Sequence, residues 1–469
     1  MVMPPSPSTL PPESQDRTAA VLGLLALTLL CLALMQNFGD LTPLALALVL
    51  ATLGLVLIGL AKSRGSRWEL ERRWWVMFVG AAGLTNIFNL RLPQWIGIHW
   101  SGQRDVAVVI LVVALTIAAT AAAALPLRRA AAALAVTALL GLGLIVATWP
   151  TWGSAGIDIF RAVTGATSAL LHGDNPYGSV FTYVTAIAPS QMGVLKAHFV
   201  YGPIVPVLAA LGWLVGDVRV MSVVALAATV AGFWVLARQG AQAASAHRVV
   251  ALAVASPLAV AMVQEAWVEV YIVAGVIGWL ALRHRHRHWA TAALGMAMLV
   301  NPITLVVLVP WFIWSRRARF EVMVAGMAAA LFALPFIVVT GVGAFLHDVV
   351  GVQLAQQPRY NALTLTSYLW QTWHLVLPGW LPAILVVVTV VLIIGRGPPS
   401  HEAELAGLAA VMIFATFLAA KWAFFNYYYI AAMMLLAAMA SAGVRFAPGD
   451  LALPDPRALL RRSKLRQPG

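Results

Sequence analysis

The sequence predicts an all-α protein, a polytopic transmembrane bundle of about 12–14 spans. Three observations predict it. Of 469 residues, 61% are hydrophobic and only 10% are charged, whereas a soluble chain carries roughly 25% charged residues and under half apolar ones. The mean hydropathy is +0.87. The apolar residues fall in runs of roughly 20, the length that crosses a hydrocarbon core, so the surplus apolar surface faces lipid. A cytosolic enzyme, a nucleic-acid binder and a disordered scaffold are excluded on this composition.

The elements follow in order. Residues 1–18, MVMPPSPSTLPPESQDRT, are rich in Pro and Ser and have no basic run. They read as a disordered cytoplasmic tail and not as a signal peptide. Spans near 19–37, 42–61, 74–93 and 106–126 form an N-terminal four-span bundle. Cys31, the one cysteine, lies inside the first run with no disulfide partner and no metal-ligand companion, and reads as a core thiol. The core, 127–445, holds spans near 130–148, 219–237, 249–264, 268–282, 289–300, 303–315, 321–340, 378–395, 405–420 and 427–444. A basic cytoplasmic tail, 446–469, closes the chain.

Loop charges orient these spans. With both termini and the Arg-rich loops assigned to the cytoplasm, that side carries +14 and the outer side −1, which together give the net charge of +13. Basic residues mark the cytoplasmic face of a membrane protein, so this excess is a topology signal and not a footprint for nucleic acid. The His/Arg run Arg283–His288 reads as one of these basic loops rather than a metal site.

Two segments break the alternation. Residues 201–215 are apolar but too short to span, and predict a helix on or dipping into the outer leaflet, with Tyr201 and Trp213 at the interface. Within 289–315, Asn301-Pro302 interrupts the apolar run, because proline cannot extend a helix and restricts the residue before it. Two short helices should meet there near the outer surface. The two long loops, 149–218 and 341–377, both lie outside, which is where chemistry is expected.

In the first long loop, residues 158–171 place Ile159, Val163, Ala166 and Leu170 at helical spacing, with Arg161 and Thr164 on another face. This is an amphipathic surface helix with Asp158 as its N-cap or in its first turn. A carboxylate there serves equally as a plain cap. His172-Gly173-Asp174-Asn175-Pro176-Tyr177 then turns the chain. Seven basic residues lie outside, and Lys421 and Arg359 stand closest to span mouths or in the second long loop. A charge near the hydrocarbon marks function by default, although both side chains can also snorkel to headgroups. Lys196 and His198 are further candidates for holding an anion. Glu265 and Glu269, four residues apart and on one face if helical, suit contacts to hydroxyls, or are solvated loop charges. The Trp-Phe-Tyr cluster at 422–429, which includes Tyr427, and Trp370 and Trp373 suit stacking on a sugar or a prenyl chain, or an aromatic belt.

Several segments resemble a known family. An Asp after a span, an amphipathic helix and then Leu171-His172-Gly173-Asp174-Asn175-Pro176-Tyr177 resemble the first external loop of GT-C glycosyltransferases. The likeness is to bacterial polyprenyl-phosphomannose-dependent mannosyltransferases. Tyr201-Gly202-Pro203, Gly216-Asp217-x-Arg219, the run Gln356-Gln357-Pro358-Arg359-Tyr360-Asn361-Ala362-Leu363 with Thr364 after it, and Lys421-Trp422-Ala423-Phe424-Phe425-Asn426-Tyr427-Tyr428 are similar to further family segments in the same order. The resemblance implies an inverting enzyme that moves mannose or arabinofuranose from a polyprenyl-phosphate donor to an extracytoplasmic glycolipid or polysaccharide. It implies Asp158 as the catalytic residue, and donor phosphate contacts from Lys421, Arg359, Lys196 and His198. Substrate contacts fall to Glu265, Glu269, Tyr201, Asn426 and Tyr427. It places the protein in the plasma membrane with both termini inside and the active site outside. No cofactor is expected. Some relatives carry adjacent acidic residues that imply a divalent cation, but Asp158 stands between Ile157 and Ile159 and no metal is inferred. The first four spans have no counterpart in the family core.

A transporter or lipid-linked-sugar flippase is the alternative. It predicts inverted repeats and ionisable residues at the membrane midplane, and the sequence offers neither. A member without activity that serves as an assembly subunit is a third reading.

Overall fold

The computed structural model describes residues 18–36, 40–62, 70–88, 103–148, 158–188, 191–240, 243–355, 358–442, 444 and 446. The N-terminal tail before Thr18, the loop stretch 149–157, the pair Gln356-Gln357 and the basic tail beyond 446 lie outside the described residues.

The first five helices are α1 (Thr18–Gln36), α2 (Pro43–Lys62), α3 (Arg72–Phe88), α4 (Gln103–Ala124) and α5 (Leu127–Thr148). Then come α6 (Asp158–Leu171), the strands β1 (Phe181–Ala188) and β2 (Gln191–Ala197), α7 (Ile204–Trp213), α8 (Val220–Gln239), α9 (Ala246–Ala255), α10 (Pro257–Gln264) and α11 (Glu269–Leu282). The rest is helical: α12 (Arg287–Met298), α13 (Ile303–Trp314), α14 (Arg316–Thr340), α15 (Val342–Leu346), a π-helical turn (His347–Gly351), α16 (Val352–Ala355), α17 (Leu365–Trp373), α18 (Leu381–Arg396), α19 (Glu402–Leu418) and α20 (Phe425–Ala440).

Among the described residues, six helices are long and apolar enough to cross a membrane, or seven if the bent pair α9–α10 is one span. Shorter apolar helices, α11, α13, α18 and α20 among them, fill out the bundle. Helix α20, FNYYYIAAMMLLAAMA, is buried along almost its whole length. It packs against α1, α8, α9, α11 and α19. Its alanines let those neighbours approach closely, which is how helices associate where lipid offers no hydrophobic drive. The N-terminal helices dock onto this centre: α1 lies on α20, α2 on α19, and α3 and α4 on α9.

The amphipathic helix, the short helix after Tyr201-Gly202-Pro203 and the break at Asn301-Pro302 stand where the sequence puts them. Two features differ. The described residues are nearly all helical, as expected, but the first long loop also folds an antiparallel hairpin, with Phe181 opposite Ala197 and Val184 opposite Val194. The run Phe-Thr-Tyr-Val is β-branched and aromatic, and alternation turns Tyr183 inward and leaves Thr182 and Val194 outward. The span near 249–264 is not straight. Ser256 caps a new helix that begins at Pro257, and the two halves meet at 49°; proline has no N–H to continue the preceding helix and suits the first position of a new one.

Two close approaches carry weight. Gly202 donates its N–H to the Val300 carbonyl at 2.8 Å, and a Cβ at Gly202 would run into the Leu299 carbonyl oxygen. This stitches the short helix α7 to the break between α12 and α13. Gly202→Ala must push backbone from backbone. It is expected to cost about 1–3 kcal/mol, read as a lower thermal midpoint of the purified protein in detergent.

At the opposite end lies a buried ion network. Arg283, 2% exposed, donates to Glu402 at 2.9 Å and faces Glu321 at 3.4 Å. Trp311 donates to Glu402 at 2.7 Å and Trp279 to Glu321 at 2.8 Å. Arg396 pairs with Glu404 at 2.7 Å and reaches the Leu60 carbonyl. All these charges come from loops or helix ends that the charge arithmetic puts on one side. Arg283→Met leaves the buried Glu402 without its cation, while Glu321 keeps Arg317 at 2.8 Å, and is expected to cost about 3–5 kcal/mol. Adding Glu402→Gln should recover part of that loss in the same thermal measurement.

Candidate active site

Asp158 opens α6 and is only 8% exposed. Its Oδ1 accepts the Ile159 N–H at 2.9 Å, and the Val184 N–H of β1 donates to the same carboxyl. The hairpin is pressed onto the helix at Gly165, where a Cβ would meet the Phe181 ring. Burial raises the Asp158 pKa above the usual carboxylate range, and Arg359 and the N–H donors pull it back. A proton is therefore bound more readily here than on a solvated Asp, while a cation keeps the ionised form accessible.

Arg359 is supplied by the second long loop. That loop zips against the segment before α20: Arg359 N–H donates to the Lys421 carbonyl at 3.1 Å and Leu363 N–H to the Ala423 carbonyl at 2.8 Å. The guanidinium sits 4.6 Å from the Phe424 ring centroid and 5.2 Å from that of Trp422, a cation–π clamp. Its Nε has no hydrogen-bond partner among the described residues. Burial lowers its pKa, and Asp158, Asp40, Tyr201 and Tyr427 act against that. The arginine is held by flat faces, with a donor left over.

Behind this pair lie the other expected residues. Glu269, at the start of α11, is 0% exposed. Its Oε1 accepts from Asn426 Nδ2 at 2.8 Å, while its Oε2 has no partner among the described residues. Tyr201 lies in the field of Glu269, Tyr427 and Asp158, and its pKa is raised by burial first. Tyr427 feels Glu269, Arg359 and Asp158. Glu265 is raised to about 7 by burial, against the pull of Arg219. Arg219 grips Asp217 in a two-pronged pair, at 2.6 Å and 3.0 Å, and lies over the Phe160 ring of α6.

The reading of Glu265 and Glu269 as one helical face is corrected. Glu265 ends α10, Ala266 takes φ 51°, and Glu269 begins α11. The turn, not a helix, brings both carboxyls into the interior, and neither is a solvated loop charge.

Lys421 does not stand with Arg359. It lines a separate cavity of about 340 Å³, shared with Asn301, Pro302, Val349, Leu354, Trp422 and Tyr427. Trp422 and Tyr427 belong to both places. Lys196 is exposed on the outer face of β2, away from the cluster. His198 is half-buried, its carbonyl accepts from Tyr183 at 3.3 Å, and its Nδ1 has no partner among the described residues.

The motif residues have structural work. Asn175 accepts the Tyr177 N–H at 3.0 Å and donates to Thr340 at 3.0 Å, and Tyr177 donates to the Tyr201 carbonyl at 2.7 Å. Thr364 caps α17 by accepting the Ser367 N–H at 3.0 Å. Sequence reasoning missed Asp40 and the Val184 N–H as members of the cluster, since nothing local announces a long-range partner. Arg219 was visible only as part of a motif.

Among the described residues, no three His, Cys, Asp or Glu side chains gather in a way that would hold a metal ion. Compared with protein-family models, curated proteins and solved structures, the chain matches none.

Proposed function

We propose that this chain is a membrane glycosyltransferase. It moves a sugar, mannose or arabinofuranose, from a polyprenyl-phosphate donor to an extracytoplasmic glycan or glycolipid acceptor, with inversion. The acceptor oxygen attacks the anomeric carbon as the bond from that carbon to the phosphate oxygen breaks. Asp158 takes the acceptor's proton, and polyprenyl phosphate leaves with the bonding electrons. A phosphate is already a good leaving group, so one carboxylate suffices, unlike the usual pair in glycoside hydrolysis.

The observation that carries this reading is a buried carboxyl facing a clamped arginine with a spare donor. Beside them is a largely apolar cavity with Lys421 in its wall. Such a cavity suits a prenyl chain ending in a phosphate, with Arg359 and Lys421 on either side of the head. Glu269, Asn426, Tyr201 and Glu265 then face the sugar and acceptor hydroxyls. On this reading the protein lies in the plasma membrane, with the Arg283 network inside and Asp158 outside.

The test is to incubate purified protein with a panel of polyprenyl-phosphate sugars and an extracted envelope glycolipid fraction. Release of free polyprenyl phosphate with at least one donor is expected. No release with any of them, together with solute uptake by vesicles that contain the protein, would favour a transporter.

A further inference from the structure

A second carboxylate is tied to the loop that carries Arg359, and it comes from the N-terminal helices. Asp40 lies in the turn between α1 and α2. Its backbone pairs with Ala362 in an antiparallel bridge. The next residue, Leu41, donates its N–H to the Asn361 carbonyl at 2.9 Å. The Asp40 side chain accepts from Asn361 Nδ2 at 2.8 Å. These ties set the carboxyl beside the loop that carries Arg359. The guanidinium's field acts on it, while burial raises its pKa to about 7.

Arg359 therefore feels the field of two acids, Asp40 and Asp158. With both ionised, the trio is net negative, and a phosphodiester would add to that charge in a buried place. Like charges in such a site drive one acid to bind a proton. Asp158 must stay ionised to act as a base. Asp40 has no proton to accept from substrate, and its second oxygen can carry one while the first keeps the bond to Asn361. Tyr201 and Tyr427 face Arg359, and Glu265 faces Arg219 and Asp158; the charged group acting on Asp40 is Arg359.

Resting on the transferase reading above, we propose that Asp40 is a positioning residue of the donor site. It anchors the Arg359 loop and takes up a proton from water when a phosphodiester settles against the guanidinium. Donor binding is thereby coupled to proton uptake.

The test uses the full chain in detergent and a short-chain prenyl phosphomannose, a phosphodiester of constant charge. Binding is measured by calorimetry at about pH 6 and about pH 8.5, on either side of the Asp40 titration. An Asp158→Asn background keeps the donor intact and removes that group's own titration. In this background the Kd should weaken about tenfold at the higher pH, and buffers of different ionisation heat should report proton uptake. Adding Asp40→Asn, which keeps an acceptor for Asn361, should abolish both the pH dependence and the uptake. Asp40→Ser serves as a second variant if Asp40→Asn does not fold. If the Asp40 variants keep the pH dependence and the uptake, the inference is overturned while the transferase reading stands. Failure of the parent chain to bind the probe at either pH overturns both.

Discussion

Asp158→Asn is expected to lower sugar transfer by about 10²–10⁴-fold, the usual contribution of a positioned base, with donor binding retained. The amide still accepts the Ile159 and Val184 N–H groups through its oxygen, so α6 and the hairpin should hold their places. What is lost is the ability to take the acceptor's proton. The change should therefore appear in kcat and not in the amount of folded protein. Initial rates of polyprenyl phosphate release, beside a thermal unfolding curve, separate the two. Turnover within a few-fold of the parent would remove Asp158 from the catalytic role.

Arg359→Gln should act in two ways at once. The guanidinium is the cation that offsets burial at Asp158, and burial alone pushes that carboxyl upward. Without the arginine the Asp158 pKa rises further. A base works only when deprotonated, so activity that falls with falling pH should start to fall at a higher pH in the variant than in the parent. The phosphate also loses a charged donor, worth about 1.5–3 kcal/mol, which corresponds to roughly a 10- to 150-fold rise in KM. A purely structural arginine would change folding without moving the acid limb. The clamp between Trp422 and Phe424 makes Arg359→Lys an instructive companion. An ammonium keeps the charge but cannot stack as a plane, so it should restore the acid limb better than it restores KM.

Much of the scaffold was legible because its signals are local. Helical spacing of Ile159, Val163, Ala166 and Leu170 marked α6 to the residue, and Asn301-Pro302 marked the gap between α12 and α13. The hairpin was harder. Its pattern, Phe181-Thr182-Tyr183-Val184, is short, and a long loop with few apolar runs gives little contrast. Pro257 was passed over because an apolar run reads as one span even when a capped proline divides it. The cluster itself was only partly legible. Residue type and the expected outer placement picked out Asp158, Arg359 and Glu269, and a family-like segment picked out Asn426, but not that Lys421 would line a cavity whose wall leaves out Arg359. Asp40 could not be found from the sequence, since its role arises from a bridge to Ala362 on the far side of the fold.

The position of α20 has a consequence for how the molecule is made. The helix that touches α1, α8, α9, α11 and α19 is the last of the described helices to leave the ribosome. Until it arrives, α1, inserted much earlier, has α2 and α3 beside it but not the helix that completes its packing. Final assembly must therefore wait for α20, and a nascent chain stalled before Phe425 should be a loose set of inserted helices, exposed to quality-control proteases for as long as the stall persists.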